Sequence, residues 1–172
     1  MKRKTFLKSI GVLGLGYGFL PTLPKSASQK VKIAVIGVGL RGQDHVELLL
    51  RRDDIEIIAI CDIDLRMIDM AKELFNKSGL KLPKIYSNGP NAWEELLHKE
   101  KLDAVIIATP WELHKPMILG SIKSGIKYVA TEVILGISLE DHWEVVRAAE
   151  AAKAHVMMLE NVCYRRDVMA VL

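Results

Sequence analysis

The chain has 172 residues, 50% hydrophobic and 26% charged, which suits one domain with a sizeable core and excludes a low-complexity or fibrous protein. Its formal charge is +3, but Lys2, Arg3, Lys4, Lys8 and Lys25 lie in residues 1–28, which hold no acid; beyond them 19 basic residues face 21 acidic ones, a net of −2. The sum assigns the basic excess to that first stretch and not to a binding surface, and no nucleic-acid partner is expected.

Residues 1–28 have the layout of a signal peptide. A basic start, Met1 to Lys8, precedes the apolar, Gly-rich stretch Ile10 to Leu20, and Pro21 to Ser28 supplies small residues suited to cleavage. The apolar run is too short to span a bilayer as a settled helix, so no stable membrane span is expected. Arg3-Lys4-Thr5-Phe6-Leu7-Lys8 resembles the twin-arginine export signal, with Lys4 in place of the second arginine. An ordinary secretory signal or an uncleaved anchor has the same layout. The expected location is outside the cytoplasm, periplasmic or at the cell surface.

Next comes Val31-Lys32-Ile33-Ala34-Val35-Ile36-Gly37-Val38-Gly39-Leu40-Arg41-Gly42, an apolar strand running into G-x-G-x-x-G. Asp62 ends a second apolar run, Ile55 to Cys61, twenty residues after Gly42. Strand, glycines, helix and acid in this order form a dinucleotide-binding fingerprint. Gly37 permits a tight turn, Gly39 lets the backbone approach a pyrophosphate, and Gly42 allows close helix packing. Leu40 and Arg41 open the helix whose N–H groups and positive dipole end face the phosphates, and Arg41 is either a phosphate partner or a solvated helix residue. Asp62 accepts from the adenosine ribose hydroxyls. Its charge, with that of Asp64, repels a 2′-phosphate, so the expected cofactor is NAD.

Further along, apolar runs alternate with amphipathic ones. The expected strands are 32–37, 55–62, 84–86, 104–108, 128–132 and 156–160; the expected helices are 41–51, 65–77, 92–99, 113–124 and 139–152, with another starting at Arg165. This alternation predicts an α/β fold, a Rossmann doubly wound parallel sheet with right-handed crossovers. In the usual strand order Cys61 and Cys163 stand four strand spacings apart, roughly 19 Å, beyond the about 7 Å a disulfide tolerates. The five histidines show no metal-ligand spacing. The last residues begin an amphipathic helix with no C-cap, so the expected organisation is a leader over 1–28, an NAD-binding domain over 29–160, and in 161–172 the start of a connection to a C-terminal α/β domain.

Gly37–Gly42, the run Ala108-Thr109-Pro110-Trp111-Glu112-Leu113-His114 and Thr131-Glu132-Val133 resemble the glucose–fructose oxidoreductase / inositol dehydrogenase (Gfo/Idh/MocA) family from about Val31 to Leu172. Ordinary dehydrogenases of that family carry Glu-Lys-Pro at the end of the fifth strand; here it is Glu132-Val133-Ile134. Gly39-Leu40-Arg41-Gly42, Cys61-Asp62-Ile63-Asp64, the 108–114 run, Glu132-Val133 and the run from Glu160 to Asp167 are together similar to glycoside hydrolase family 109. Its characterised members are NAD-dependent α-N-acetylgalactosaminidases. The resemblance implies a glycoside substrate bearing N-acetylgalactosamine and recycled NAD. A sugar hydroxyl at C3 is oxidised, the aglycone is eliminated after loss of the C2 proton, water adds, and the hydride returns. This is an exception to the two-carboxylate scheme.

The same resemblance assigns Trp111, Glu112, Leu113 and His114 to the cofactor edge, with Trp111 packed on the cofactor and His114 beside the nicotinamide. It places Glu132 and Val133 against the nicotinamide ribose and ring, and Asn161 as an amide contact after the sixth strand. A core tryptophan, a capping histidine, a paired carboxylate and a turn asparagine are the structural alternatives. Tyr164 is the one catalytic candidate; the main sugar contacts of the family, and any homo-oligomer contact, fall in the further domain. The competing functions are a net sugar or polyol dehydrogenase and a truncated, non-catalytic NAD-binding module.

Overall fold

The structure is a computed structural model, which describes residues 30–171. The leader features and Leu172 lie outside the described residues.

Six parallel strands form one sheet in the order β3-β2-β1-β4-β5-β6. The strands are β1 Val31–Ile36, β2 Ile55–Cys61, β3 Lys84–Tyr86, β4 Ala104–Ile107, β5 Tyr128–Thr131 and β6 His155–Met158. The helices between them are α1 Leu40–Leu50, α2 Leu65–Ser78, α3 Ala92–Lys99, α4 Trp111–Lys123 and α5 Leu139–Ala152. A 3₁₀ turn, Asn161–Tyr164, and a short α6, Arg166–Met169, follow β6. Local chemistry sets several boundaries. The Asp64 side chain accepts from Arg66 N and caps α2, and Ser138 with Asp141 forms a capping box on α5.

The alternation of a strand sorts its side chains between two cores. Ala34 and Ile36 of β1 face α3, α4 and α5, packing with Leu96, Ile118 and Val145. Val35 between them faces α1 and α2, packing with Val46, Ile68 and Phe75. Strands buried on both faces read as continuous Val/Ile runs, which is why periodicity alone found them. Full burial of a side chain such as Phe75 stabilises the fold by about 1.5–3 kcal/mol.

All the strands but β3, which ends at Tyr86 as expected, end one or two residues before the sequence-based bounds, and the difference defines the functional edge. Gly37, Asp62, Ala108, Glu132 and Leu159 each donate a last backbone bond to a neighbouring strand, at 2.8, 3.2, 2.8, 2.8 and 2.7 Å, and then leave the sheet. Each strand therefore delivers its next residue to the carboxyl end of the sheet, where open α/β folds bind ligands. Cys61 and Cys163 are both free thiols, the first buried and the second exposed. Burial pushes the Cys61 thiol up to about 12, with the charge of Asp62 adding to the effect.

Candidate cofactor site

The site is built on the turn between β1 and α1. Gly37 has φ +85°, and a Cβ there would stand 2.5 Å from the carbonyl oxygen of Ala108, so a side chain fits neither the turn nor its contact with β4. A Cβ on Gly42 would stand 2.0 Å from the Gly37 oxygen. Gly42 therefore lets α1 close onto its own turn, rather than onto the sheet directly. Gly39 differs, since a Cβ there would meet no protein atom within 4 Å. It is the N-cap of α1 and offers no side-chain bond to the first-turn amides. Open space beside uncapped helix N–H groups fits a pyrophosphate.

Asp62 closes the other side of this turn. Its Oδ2 accepts from Val38 N at 2.8 Å and its Oδ1 from Asp64 N at 2.9 Å. A carboxylate offers about four lone-pair sites, so the two not used here suit the ribose hydroxyls. Asp62 thus fixes the glycine turn. The expected help from Asp64 against a 2′-phosphate is cancelled by an ion pair. Asp64 caps α2 and meets Arg66 at 2.7 Å.

Glu132 follows β5 and reaches back to α1. Its Oε1 accepts from Arg41 Nε at 2.7 Å and lies 2.7 Å from His45 Nε2. Burial pushes this carboxyl up, but the bonds from His45 and Arg41 outweigh it and hold Glu132 below its ordinary value. Arg41, which also contacts Asp44 at 3.4 Å, turns to carboxylates and not toward the glycine turn's open side. His45 and Gln43 are contributors that sequence reasoning missed. Gln43 Nε2 donates to Val38 O at 2.6 Å and Met67 O at 2.9 Å, bracing the turn against α2. The available signal was the i, i+4 spacing of Arg41 and His45 on one helix face.

The Trp111–His114 run divides in two. Helix α4 begins at Trp111, two residues earlier than the pattern suggested, with Pro110 as N-cap. Trp111, Glu112 and Leu113 are exposed at the functional edge, so Trp111 is not a core residue. His114 is fully buried with Met117, Ile118 and Ser121, a complete i, i+3, i+4, i+7 stripe. Its Nε2 lies 2.8 Å from Thr109 O, and its Nδ1 meets Ile134 O. The ring therefore ties the loops after β4 and β5 together, and the structure turns neither nitrogen to the open edge.

Val133 is half-buried in the loop after β5. Asn161 begins the 3₁₀ turn that Glu160 caps, and Tyr164 ends it; both are exposed. Strand β6 lies three spacings from β1 in the sheet, about 14 Å, so these two residues stand well to the side of the glycine turn.

The family model described as "Oxidoreductase family, NAD-binding Rossmann fold" matches residues 31–160. The chain belongs to the Gfo/Idh/MocA oxidoreductase family. Within this family it is 42% identical, over all of its length, to a glycosyl hydrolase family 109 protein of Stenotrophomonas maltophilia, of which it covers 38%. It is 36% identical, over 99% of its length, to an α-N-acetylgalactosaminidase of Tannerella forsythia, of which it covers 41%. Thus the chain spans about two fifths of these curated relatives. Among solved structures, the WlbA dehydrogenase of Chromobacterium violaceum, in complex with NADH and UDP-GlcNAcA, matches with a TM-score of 0.69 at 25% identity, over 83% of this chain and 39% of that one. The myo-inositol 2-dehydrogenase of Lactobacillus plantarum matches with a TM-score of 0.70 at 20% identity, over 83% and 40%, and shares the fold. The cofactor of this Gfo/Idh/MocA domain is NAD.

Proposed function

We propose that this chain is the cofactor-binding part of an exported NAD-dependent glycosidase that cleaves α-N-acetylgalactosaminides without net consumption of NAD. The observation that carries the reading is the end of β5. Glu132 is followed by Val133 and Ile134, so the lysine that ordinary dehydrogenases of the family place there for acid–base work is missing. Similarity to the Tannerella forsythia enzyme along nearly the whole chain supports the same substrate class.

Bound NAD supplies reversible hydride acceptance, which lets an oxidation, elimination, hydration and re-reduction sum to hydrolysis. The chain's own residues bind and orient. The amides of Leu40, Arg41 and Gly42 would hold the pyrophosphate, and Asp62 would hold the adenosine ribose. Glu132, fixed by Arg41 and His45, sets the position of the loop that carries Val133. His114 holds that loop from beneath through Ile134 O. Trp111 and Leu113 present apolar surface at the carboxyl edge of the sheet, where the cofactor would lie. The sugar contacts belong to the part of the relatives that this chain does not span.

The 172-residue chain should therefore bind NAD and fail to cleave a chromogenic α-N-acetylgalactosaminide, while its full-length parent cleaves it without releasing NADH. NADH accumulating one for one with sugar consumed would make the parent a dehydrogenase. Cleavage by the short chain at the parent's rate would overturn the division of labour.

A further inference from the structure

At the amino end of the sheet, opposite the glycine turn, lies an open groove of about 720 Å³. Its floor is apolar, with Leu49, Leu50, Phe75 and Pro83 among the lining residues. Seven cations line it against Glu56 and Glu100, and Asp54 and Glu95 pair with two of the seven from just outside the lining, which leaves a local excess of three positive charges. The chain beyond residue 28 sums to −2. The net basic excess still belongs to residues 1–28, but the fold segregates charges that cancel in the total of the rest. Arg52, Lys84 and Lys99 are paired with Asp54, Glu100 and Glu95. Lys30, Lys81 and Lys101 are exposed and form no ion pair with a described residue.

Two further features mark this edge. The loop between α2 and β3 reads Leu80-Lys81-Leu82, and both leucines are exposed, at 48% and 43%. Leucines standing beside unpaired lysines match an interfacial layer, apolar below and anionic above. The chain also enters the fold here. Lys30 lines the groove, and the residues preceding it include the apolar stretch Ile10 to Leu20. The glycine turn is at the far end of the six-residue β1, about 20 Å away, and faces outward when the groove faces lipid.

We propose that this edge docks on the surface of an anionic lipid bilayer, with Lys30, Lys81 and Lys101 at the headgroup phosphates and Leu80 and Leu82 in the interfacial layer. An acidic polypeptide would satisfy the lysines. It leaves unexplained why the leucines stand beside them and why the chain enters at the same edge.

The test is sedimentation with vesicles of phosphatidylcholine doped with phosphatidylglycerol, against vesicles of phosphatidylcholine alone. The chain is measured whole and from residue 29 onward, since among the described residues both cores are built from positions beyond that point. Both forms should bind the doped vesicles, more weakly as salt rises. Each lysine near an anionic surface strengthens partition about fivefold, so Lys30→Gln, Lys81→Gln and Lys101→Gln combined should lower it about a hundredfold. Leu80→Ser with Leu82→Ser should also lower it, whereas Arg147→Gln, on exposed α5, should not. Unchanged NAD affinity in every variant reports an intact fold. Equal binding to neutral vesicles, a triple variant that partitions like the parent chain, or capture of soluble polyglutamate with no vesicle binding by the chain from residue 29 would overturn the proposal.

Discussion

Replacing Asp62 by alanine separates its two roles. In the folded chain the carboxylate accepts from Val38 N and Asp64 N at 2.8 and 2.9 Å, and Val38 is fully buried. Leaving a buried N–H unpaired costs about 1–3 kcal/mol, and at this domain size each kcal/mol moves Tm by about 3 °C. Asp62→Ala should therefore melt about 3–9 °C lower. The ribose bonds are charge-assisted and worth about 1.5 kcal/mol or more each, so losing two weakens NAD binding by about a hundredfold. NADP should lose much less, because removing the carboxylate also removes its repulsion of the 2′-phosphate; at about 4 Å and an effective dielectric of about 20 that repulsion is about 4 kcal/mol per unit charge. Calorimetric titration of both nucleotides into both proteins reads the ratio. Equal affinity of the unmodified protein for NAD and NADP, or a variant that loses affinity for both in the same proportion, would refute the assignment.

Three other outcomes follow from the same geometry. Gly39→Ala should fold with little change in Tm and bind NAD at least about tenfold more weakly, whereas Gly42→Ala should lose fold stability, because its Cβ would meet the Gly37 oxygen at 2.0 Å; thermal melts with NADH titration distinguish them, and a Gly39→Ala protein of full NAD affinity would remove the pyrophosphate from this turn. Glu132 is held below its ordinary value of 4.5, so its contribution to stability is complete above that pH and is lost as pH falls through the lower folded value. Glu132→Gln should flatten the acid limb of a urea-stability profile, and an unchanged limb would contradict the Arg41 and His45 contacts. Mass spectrometry of the native protein should find a terminus after Ala27 or close to it; cytosolic material with an intact Met1 would contradict export.

Much of this fold was legible because the central strands β1, β2 and β4 are apolar on both faces and the junction after β1 carries a distinct signal. The glycines, Asp62 and the strand–helix order needed only local spacing. What escaped depends on side chains brought together from distant positions. Glu132 meets Arg41 and His45 across more than eighty residues; their i, i+4 spacing marks a shared helix face but does not point to Glu132. The basic groove draws lysines from the start of β1, from the loop before β3 and from the end of α3 and the residues after it, and the acids elsewhere hide it in the sum. His114 was legible in principle. Reading α4 from Leu113 obscured the stripe His114, Met117, Ile118 and Ser121, which a start at Trp111 places inward. Asp64 was misread as a free charge because its partner, Arg66, lies two residues away in a cap, outside helical pairing distances.

The account rests most heavily on transient oxidation of the sugar, and the solvent isotope reads that step directly. The full-length parent, turning over an α-N-acetylgalactosaminide in deuterated water with stoichiometric NAD, should give free sugar carrying deuterium at C2 and no accumulated NADH. Product with only the original hydrogen at C2, or NADH rising in step with sugar consumed, would contradict it.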